Sequence, residues 1–356
     1  MGLSVGSSVS LPVLAYHDVS LGGDRRRQRL ETHLAALARS GLPSLAPQDL
    51  ETAARGYLLT FDDGFVDLWT HGLARLERHG VKATVFAIPA RADGGDLRPT
   101  GAPAFNGTPS QAHGEAARRG GPHPGFLRWS ELSALERSGL VTVQSHSWSH
   151  AMGWVGDKIL GFHLGCAHWS LAQATGGDER PGIPLYRRGS ALGHALFFDP
   201  PELRDELTEW LERAGGEAYL RAEGARRVGK RLRALAEAHR GRHPNGGRWE
   251  TREEREARTL EEIVRARDEL ERRLGGTRDE LCLPWGEYDE VTLECARRAG
   301  IRRVYTLDRG PNPTGRVGFR VNRFEPRMRG PLWLRTRLWI YRSTWRAGLY
   351  GRLTRR

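Results

Sequence analysis

The chain has 356 residues, of which 38% are hydrophobic and 28% charged, so it can bury a core and is not a disordered polypeptide. Its three cysteines are too few and too scattered for a disulfide framework or a CxxC zinc site. The net charge of +12 favours anionic partners, but no recognition-helix or aromatic-sheet signature accompanies it, so we expect no nucleic-acid partner. Residues 1–11 lack the basic and apolar regions of a secretory signal, and no run approaches the roughly 18 apolar residues of a membrane span, which favours the cytoplasm.

Short apolar runs alternate with amphipathic stretches, a pattern typical of a parallel α/β fold. The runs predict strands at 12–16, 57–61, 81–88, 141–145, 281–283 and 302–307, with helices between them. Glycine, proline and small polar residues from 90 to 126 predict a long surface loop. Residues 151–279 interrupt the pattern and carry charged helices near 201–213, 217–240 and 251–274, so we interpret them as an insertion or lid.

Polar residues follow two of the predicted strands, at the carboxyl ends where parallel α/β folds carry their working side chains. Asp62 and Asp63 are adjacent carboxylates, which indicate a cation at that strand end. His146 and His150 can converge on one metal if the turn between them is helical. One aspartate and two histidines would leave positions open for water, as in catalytic zinc sites. Taken singly, Asp-Asp-Gly is usually a turn or helix cap, and a lone HxxxH is usually surface or core.

Together and in this order, these motifs resemble the polysaccharide deacetylases of carbohydrate esterase family 4, and most closely the branch that acts on poly-N-acetylglucosamine. The resemblance covers roughly residues 11–150 and 280–325. The similar segments are Leu14-Ala15-Tyr16-His17-Asp18-Val19, Leu59-Thr60-Phe61-Asp62-Asp63-Gly64-Phe65, Gln144-Ser145-His146-Ser147-Trp148-Ser149-His150, Leu283-Pro284-Trp285-Gly286-Glu287-Tyr288 and Val321-Asn322-Arg323-Phe324.

The resemblance implies an α/β fold: a distorted (β/α)7 barrel over residues 11–325, interrupted by the mostly helical insertion at 151–279. It also implies one divalent metal ion, usually zinc, and removal of an N-acetyl group from an amino sugar. Carried over by position, the metal ligands are Asp63, His146 and His150. Asp62 would be the general base that takes a proton from a metal-bound water.

The fourth similar segment, which contains Trp285, would line the substrate and oxyanion pocket. Its members are Pro284, Trp285 and Gly286, and a backbone N–H near Trp285 would help to hold the oxyanion. His17 would lie at the floor of this pocket, where packing in the core is the alternative role.

Two departures from the family pattern concern catalysis. The arginine that commonly orients the base is replaced by Cys282, although the poly-N-acetylglucosamine branch lacks it too. The general acid of the classical enzymes is a histidine near the carboxyl end, and no histidine follows His243 here. We therefore assign His163 and His168 of the insertion as candidate catalytic residues, with His194 as a third candidate. Packing within a structured lid is the alternative role for them.

Residues 331–356 predict a basic, aromatic, amphipathic carboxyl-terminal helix. Tryptophan, tyrosine and leucine recur every three or four residues and arginines are interleaved, which suits the headgroup region of a membrane. Packing of the apolar stripe on the barrel is the alternative. Arginines at 180–188 would suit a phosphate-bearing substrate, such as a nucleotide-linked or lipid-linked sugar, unless they form an ordinary solvated loop.

The leading hypothesis is therefore a metal-dependent N-deacetylase acting on a glycan or an intracellular glycan precursor, cytoplasmic or peripheral at the inner membrane face. A first alternative is a catalytically silent glycan-binding or scaffold protein on the same barrel. A second is an amidohydrolase acting on a non-sugar amide, with the same metal chemistry in a different pocket.

Overall fold

A computed structural model describes residues 8–20, 23–101, 104–165, 169–244, 246–326 and 329–354. Its strands are β1 (Val13–Tyr16), β2 (Ser44–Leu45), β3 (Tyr57–Phe61), β4 (Ala83–Ala87), β5 (Val141–Ser145), β6 (Met152–Trp154), β7 (Gly161–Phe162), β8 (Pro184–Leu185), β9 (Arg188–Ser190), β10 (Phe197–Phe198), β11 (Arg248–Trp249), β12 (Glu280–Cys282), β13 (Arg303–Tyr305) and β14 (Arg320–Val321). Its α-helices are α1 (Asp24–Ala38), α2 (Leu73–His79), α3 (Pro109–Arg119), α4 (Trp129–Arg137), α5 (Leu171–Ala174), α6 (Pro201–Arg213), α7 (Gly216–Glu223), α8 (Ala225–Arg242), α9 (Arg252–Leu274), α10 (Glu290–Arg298), α11 (Pro331–Tyr341) and α12 (Thr344–Leu353).

Seven parallel strands form a nearly closed barrel in the order β1-β3-β4-β5-β12-β13-β14, and β2 pairs with the outer edge of β3. The two ends of this path meet just beyond β14. There the N–H of Ala15 donates to the carbonyl of Phe324 at 3.0 Å, and the N–H of Phe324 donates to the carbonyl of Val13 at 3.0 Å. The predicted distorted α/β barrel is confirmed.

Both faces of the central strands are buried, because one faces the barrel interior and the other faces the helices. Along β3, Leu59 packs against the helical layer, whereas Leu58 packs inside the barrel with Phe86, Tyr305 and Val321. Neighbouring residues of one strand therefore serve two different cores. Such strands read as continuous apolar runs, which is why the sequence locates them so well.

The segment that interrupts the barrel has a hydrophobic core of its own. Its buried members are Trp154, Ile159, Phe162, Leu171, Tyr186, Phe197, Leu203, Leu207, Leu211, Val228, Leu232 and Ala236. Helix α9 lies within the predicted insertion at 151–279 but packs on β5, α4 and α10, with Ile263 and Leu270 in the cores that surround the barrel. Helix α9 is thus a barrel helix, and the separate core ends before it.

Two further segments differ from the sequence prediction. The surface loop expected at 90–126 contains α3, which Thr108 caps by accepting a hydrogen bond from the N–H of Gln111, and whose Ala112 and Ala116 are buried. The carboxyl-terminal segment forms two helices, α11 and α12, instead of one. Leu334 and Leu338 pack into the barrel's outer core, so part of the apolar stripe covers the barrel.

Candidate active site

Most of the predicted site residues meet in one cavity of about 510 Å³ at the carboxyl ends of the barrel strands. Asp62 and Asp63 directly follow β3, and His146 directly follows β5. Parallel strands end at the same rim of a barrel, so residues far apart in sequence are brought together there. The lining includes His17, Asp62, Asp63, His146, His150, Trp285 and Gly286.

Asp63 lies at the centre of a buried cluster of imidazoles. Its Oδ1 is 3.4 Å from Nε2 of His146 and 3.4 Å from Nε2 of His150. Burial opposes ionisation of this carboxyl, but the neighbouring histidines, His113 foremost, hold the pKa of Asp63 well below its usual range. The predicted set Asp63, His146 and His150 is therefore brought together by the fold.

The turn that carries the two histidines is not helical. Ser147 and His150 have positive φ angles of 63° and 53°, and the Ser147 hydroxyl accepts a hydrogen bond from the N–H of His150 at 3.2 Å. Helix α9 holds this turn, because Glu262 accepts from the N–H of Ser149 at 3.0 Å and from its hydroxyl at 2.8 Å. The two rings converge through a left-handed turn, which the spacing of the histidines does not reveal.

Backbone strain is concentrated at this site. Among the described residues other than glycine, those with positive φ are Asp63, Ser147, His150 and Trp285, and all four belong to the two motif loops or to the Trp285 segment. Such conformations cost about 1–3 kcal/mol each and persist where the surrounding structure enforces them. Their confinement to one cavity indicates a site held in a fixed geometry.

The donor set fits a divalent metal ion. Ligands at 2.0–2.1 Å in a tetrahedral arrangement are about 3.3–3.4 Å apart, and the nitrogens of His146 and His150 both lie 3.4 Å from the same Asp63 oxygen. Nδ1 of His146 donates to the carbonyl of Cys282 at 2.9 Å, which leaves Nε2 as the free ligand atom. The Oδ1 atom of Asp63 is buried without a hydrogen-bond partner among the described residues. A cation would satisfy it.

Among the described residues, the potential ligand atoms that lie within 4.8 Å of one another form two groups, one of Asp63, His113 and His150 and one of Asp62, His146 and Cys282. Burial raises the pKa of the Cys282 thiol, and a protonated thiol is a poor ligand. Both oxygens of Asp62 are also occupied by an arginine, as described next. The cluster around Asp63 is therefore the better candidate for holding a metal ion.

Arg323 holds Asp62 in a buried, two-pronged ion pair. Nη1 of Arg323 donates to Oδ1 of Asp62 at 2.7 Å, and Nη2 donates to Oδ2 at 2.8 Å. The same guanidinium contacts the hydroxyl of Thr60, the carbonyl of Thr306 and Sγ of Cys282, so its orientation is fixed. An arginine that follows β14 by two residues thus reaches Asp62, the carboxylate that the resemblance suggests as base, and it contacts Cys282, which stands at the position where the resemblance leads one to expect an arginine.

The charge state of Asp62 follows from this pair. Burial alone would raise the pKa of Asp62, but the Arg323 guanidinium, assisted by His146 and His17, more than offsets burial and lowers it. Asp62 is therefore ionised at neutral pH. Arg323 stands in the similar segment Val321-Asn322-Arg323-Phe324, and a charged side chain in such a strand segment is the sequence signal that could have marked it.

His113 and Trp169 are two cavity residues that the sequence analysis missed as site residues. His113 lies on α3, within the predicted surface loop, and its Nε2 is 3.4 Å from Oδ2 of Asp63. Trp169, from the insertion, stacks on both His113 and Trp285, with ring centroids 5.2 Å apart in each pair. The Thr108-Pro109 start with Gln111 at the third helical position was the available signal for α3.

The remaining predicted residues divide between the cavity and the insertion. His17, Pro284, Trp285 and Gly286 follow their strands as predicted. Of these, His17, Trp285 and Gly286 line the cavity, with His17 half-buried. His163 is buried in the insertion, where its backbone pairs with Gly182 and Ile183, and it is not part of the cavity lining. His168 lies outside the described residues.

The arginines at 180–188 of the insertion are occupied by protein groups. Arg180 pairs with Asp178 and Asp205, Arg187 donates to the carbonyl of Val155, and Arg188 donates to the hydroxyl of Ser170. None of them lines the cavity, whereas Arg26, next to Asp18, does. A phosphate at this rim would therefore meet Arg26 before it met the arginines of the insertion.

Residues 49–159 match the family model described as polysaccharide deacetylase, and this segment contains Asp62, Asp63, His146 and His150. The match covers less than half of the chain, so it shows a similarity of this segment to the polysaccharide deacetylase family. It is 34% identical over 88 residues to a putative polysaccharide deacetylase, YxkH, of Bacillus subtilis (strain 168), covering 22% of this chain and 32% of that protein. The chain thus spans about a third of the length of the curated relative it matches.

Several solved structures share the fold over most of the chain. IcaB from Ammonifex degensii has a TM-score of 0.51 at 18% identity, covering 94% of this chain and 97% of that one. The BpsB deacetylase domain from Bordetella bronchiseptica has a TM-score of 0.52 at 18% identity, covering 90% and 97%. A de-N-acetylase from Aggregatibacter actinomycetemcomitans has a TM-score of 0.53 at 14% identity, covering 92% and 99%. At these identities the likeness concerns the fold alone.

No helix within the described ranges combines the length and apolarity needed to cross a bilayer.

Proposed function

We propose that this chain is a metal-dependent N-deacetylase that hydrolyses the N-acetyl group of an amino sugar in a glycan or glycan precursor. One observation carries the proposal. An ionised, arginine-held carboxylate, Asp62, lies next to a buried aspartate and histidine cluster in a single cavity. The names of the solved deacetylases that share this fold support the choice of reaction.

The protein residues have distinct tasks in this reaction. Asp63, His146 and His150 would hold a divalent ion, which we propose to be zinc. When bound, that ion would polarise the amide carbonyl and lower the pKa of a water molecule. Asp62 would take the proton of the attacking water. Arg323 keeps Asp62 ionised. The same low pKa makes Asp62 a weak base, so Asp62 can take a proton only from a water molecule whose own pKa is lowered.

Groups of the cavity wall can serve the rest of the reaction. Nε1 of Trp285 is buried without a hydrogen-bond partner in the described structure, so it can donate to a substrate oxygen. His17 and Asp18 are the candidate sources of the proton that the leaving amine takes up. Burial, reinforced by Asp67, raises the pKa of Asp18 to about 6, although Arg26 opposes the shift. A carboxyl with such a pKa can donate a proton near neutrality.

The substrate we propose is an amino sugar attached to a phosphate-bearing carrier. A second cavity of about 220 Å³ adjoins the first through their shared residues His17, Asp18 and Arg26, and it also contains Arg29. Guanidiniums suit phosphate oxygens. A nucleotide-linked or lipid-linked sugar made in the cytoplasm would satisfy this arrangement. A protein recovered from the periplasm would contradict the intracellular part of the proposal.

Acetate release from a panel of substrates tests the function. The panel contains oligomeric N-acetylglucosamine, a nucleotide-linked N-acetyl sugar, a lipid-linked N-acetyl sugar and a non-sugar N-acetyl amine. The proposal expects acetate from the sugars and most of it from the phosphate-linked ones. Acetate from the non-sugar amine alone would favour an amidohydrolase. Tight sugar binding without acetate from any substrate would favour a silent glycan-binding protein.

We further propose that the carboxyl-terminal helices contact an anionic membrane surface. After Glu325 the chain has no acidic residue, whereas arginines continue to its last position. The face of α11 and α12 that does not cover the barrel exposes large apolar side chains. These are Leu332, Trp339, Trp345, Leu349 and Leu353. Exposed tryptophan and leucine among arginines match the chemistry of a negatively charged lipid interface.

Replacement of Trp339 and Trp345 by serine is expected to abolish binding to such a surface. Sedimentation with vesicles of phosphatidylglycerol and phosphatidylcholine measures it, and vesicles of phosphatidylcholine alone should bind much less because the arginines lose their partners. Trp249→Ser, which removes an exposed tryptophan of the insertion, is the matched control and should bind like the parent. Equal sedimentation of parent and double variant would refute the membrane proposal.

A further inference from the structure

The metal cluster contains one more imidazole than the family resemblance supplies. Nε2 of His113 lies 3.4 Å from Oδ2 of Asp63, the same separation that joins Asp63 to His146 and to His150. Asp63, His113 and His150 offer ligand atoms that all lie within 4.8 Å of one another, and all three residues are buried. The two Asp63 oxygens thus face different histidines: Oδ1 faces the two motif histidines, and Oδ2 faces His113.

The His113 ring is held firmly in this position. It stacks between the rings of His150 and Trp169, with centroids 5.1 and 5.2 Å away and interplanar angles of 29° in both pairs. The edges of two phenylalanines, Phe65 and Phe126, close the other sides, at 5.4 and 5.2 Å. A ring packed this way cannot turn Nε2 away from Asp63 without displacing its neighbours.

Hydrogen bonding alone does not account for this burial. An N–H···O hydrogen bond spans 2.7–3.2 Å, and the His113–Asp63 separation of 3.4 Å is longer. Nδ1 of His113 is buried and has no hydrogen-bond partner among the described residues. A buried polar ring without a good partner costs about 1–3 kcal/mol. A cation between Nε2 of His113 and Oδ2 of Asp63 would replace their long contact by two short ones, although it would not reach Nδ1.

We propose that His113 is a fourth protein ligand of the metal ion, beside Asp63, His146 and His150. The inference rests on the proposed metal site. Four protein ligands are typical of closed, structural zinc sites, so an ion that also serves a substrate must accept a fifth ligand. Because helix α3 carries His113, metal binding would then also stabilise the fold of the 104–126 segment.

X-ray absorption at the zinc edge tests the ligand count directly. The proposal expects three imidazoles in the zinc-loaded parent and two in His113→Phe, which keeps an aromatic ring in the stack. It also expects the visible spectrum of the cobalt-loaded protein to differ between the two. Two imidazoles in the parent, or equal counts in parent and variant, would overturn the inference.

Zinc affinity, measured by competition with a chelator on metal-stripped protein, is the second readout. Loss of a direct ligand is expected to weaken binding at least as much as loss of an outer partner, that is, by about 10–100-fold or more. His113→Gln is the second variant in case the phenylalanine disturbs folding, which thermal unfolding checks. The control His79→Phe, at the end of α2 where His79 pairs with Glu31, should bind zinc like the parent. Unchanged affinity in both His113 variants would overturn the inference.

The outcomes separate this inference from the proposed function. A parent protein that binds no zinc contradicts both. A parent that binds zinc through two histidines and releases acetate contradicts only the role of His113.

Discussion

Replacing Asp62 by asparagine is expected to lower kcat for acetate release by about 10²–10⁴-fold, because positioned proton transfer contributes that much to hydrolysis. Asparagine keeps the shape of the side chain but cannot accept the proton. Zinc content should not change, because both Asp62 oxygens contact Arg323 and the metal is assigned to Asp63. The measurement is acetate release by parent and variant at equal zinc occupancy.

The controls for Asp62→Asn address folding and charge. Asp268→Asn removes a carboxylate of α9 that pairs only with its neighbour Arg267 among the ion pairs of the described residues, and it should leave kcat unchanged. Thermal unfolding then shows whether Asp62→Asn remains folded, since it leaves the Arg323 charge without its anion. A folded, zinc-loaded Asp62→Asn protein that keeps more than a tenth of the parent activity would contradict the assignment of Asp62 as the base.

Arg323→Gln is expected to have the second large effect, on stability and on the pH profile together. Removing one partner of a buried ion pair costs about 3–5 kcal/mol, because the remaining charge is left in a dry environment. Arg323 is 1% exposed and Asp62 is 2% exposed, so neither is rescued by water. The free energy of unfolding, measured in denaturant at neutral pH, should fall by about that amount.

The pH effect of Arg323→Gln follows from the pKa of Asp62. Arg323 lowers that pKa in the folded protein, so the pair stabilises the fold above the pKa of the unfolded carboxyl, and this stabilisation is lost as the pH falls through the folded pKa. Without Arg323 the pKa of Asp62 rises. The acidic limb of kcat/KM should then move to higher pH, because Asp62 must be ionised to act as a base.

One further variant and one control separate the effect of the charge of Arg323 from the effect of its two-pronged geometry. Arg323→Lys keeps a positive charge but loses the two-pronged geometry, so the acidic limb should move less than in Arg323→Gln while kcat still falls. Arg252→Gln, which breaks an exposed ion pair on α9, is the control and should change neither quantity. An acidic limb that stays in place in folded Arg323→Gln would show that Arg323 does not govern the ionisation of Asp62.

The sequence predicts most of the barrel because strands buried on both faces carry a continuous apolar signal. It also predicts where Asp62, Asp63, His146 and His150 lie, since all four follow such strands or their motif turns. Their convergence on Asp63 depends on a left-handed turn at Ser147 and His150, which side-chain spacing does not encode. The carboxylates and histidines could therefore be named, although the reason they meet could not.

The residues that the sequence did not reveal reach the site through tertiary contacts. Arg323 is separated from Asp62 by 261 positions, and no local pattern connects a residue just after β14 to one just after β3. His113 lies in a glycine-rich and proline-rich region whose composition predicts a loop, yet packing against Phe65 and Trp169 stabilises α3 there. Tertiary packing overrode local composition in this segment.

Metal removal and restoration tests the central claim, that the cavity hydrolyses amides with a cation on the Asp63 cluster. Acetate release is measured with metal-stripped protein, with the same protein after one equivalent of zinc or cobalt, and with Asp63→Ala treated in the same way. The account predicts no acetate from stripped protein, recovery with either metal, and no recovery in Asp63→Ala. Acetate release at the parent rate from stripped protein, or full recovery in Asp63→Ala, would contradict it.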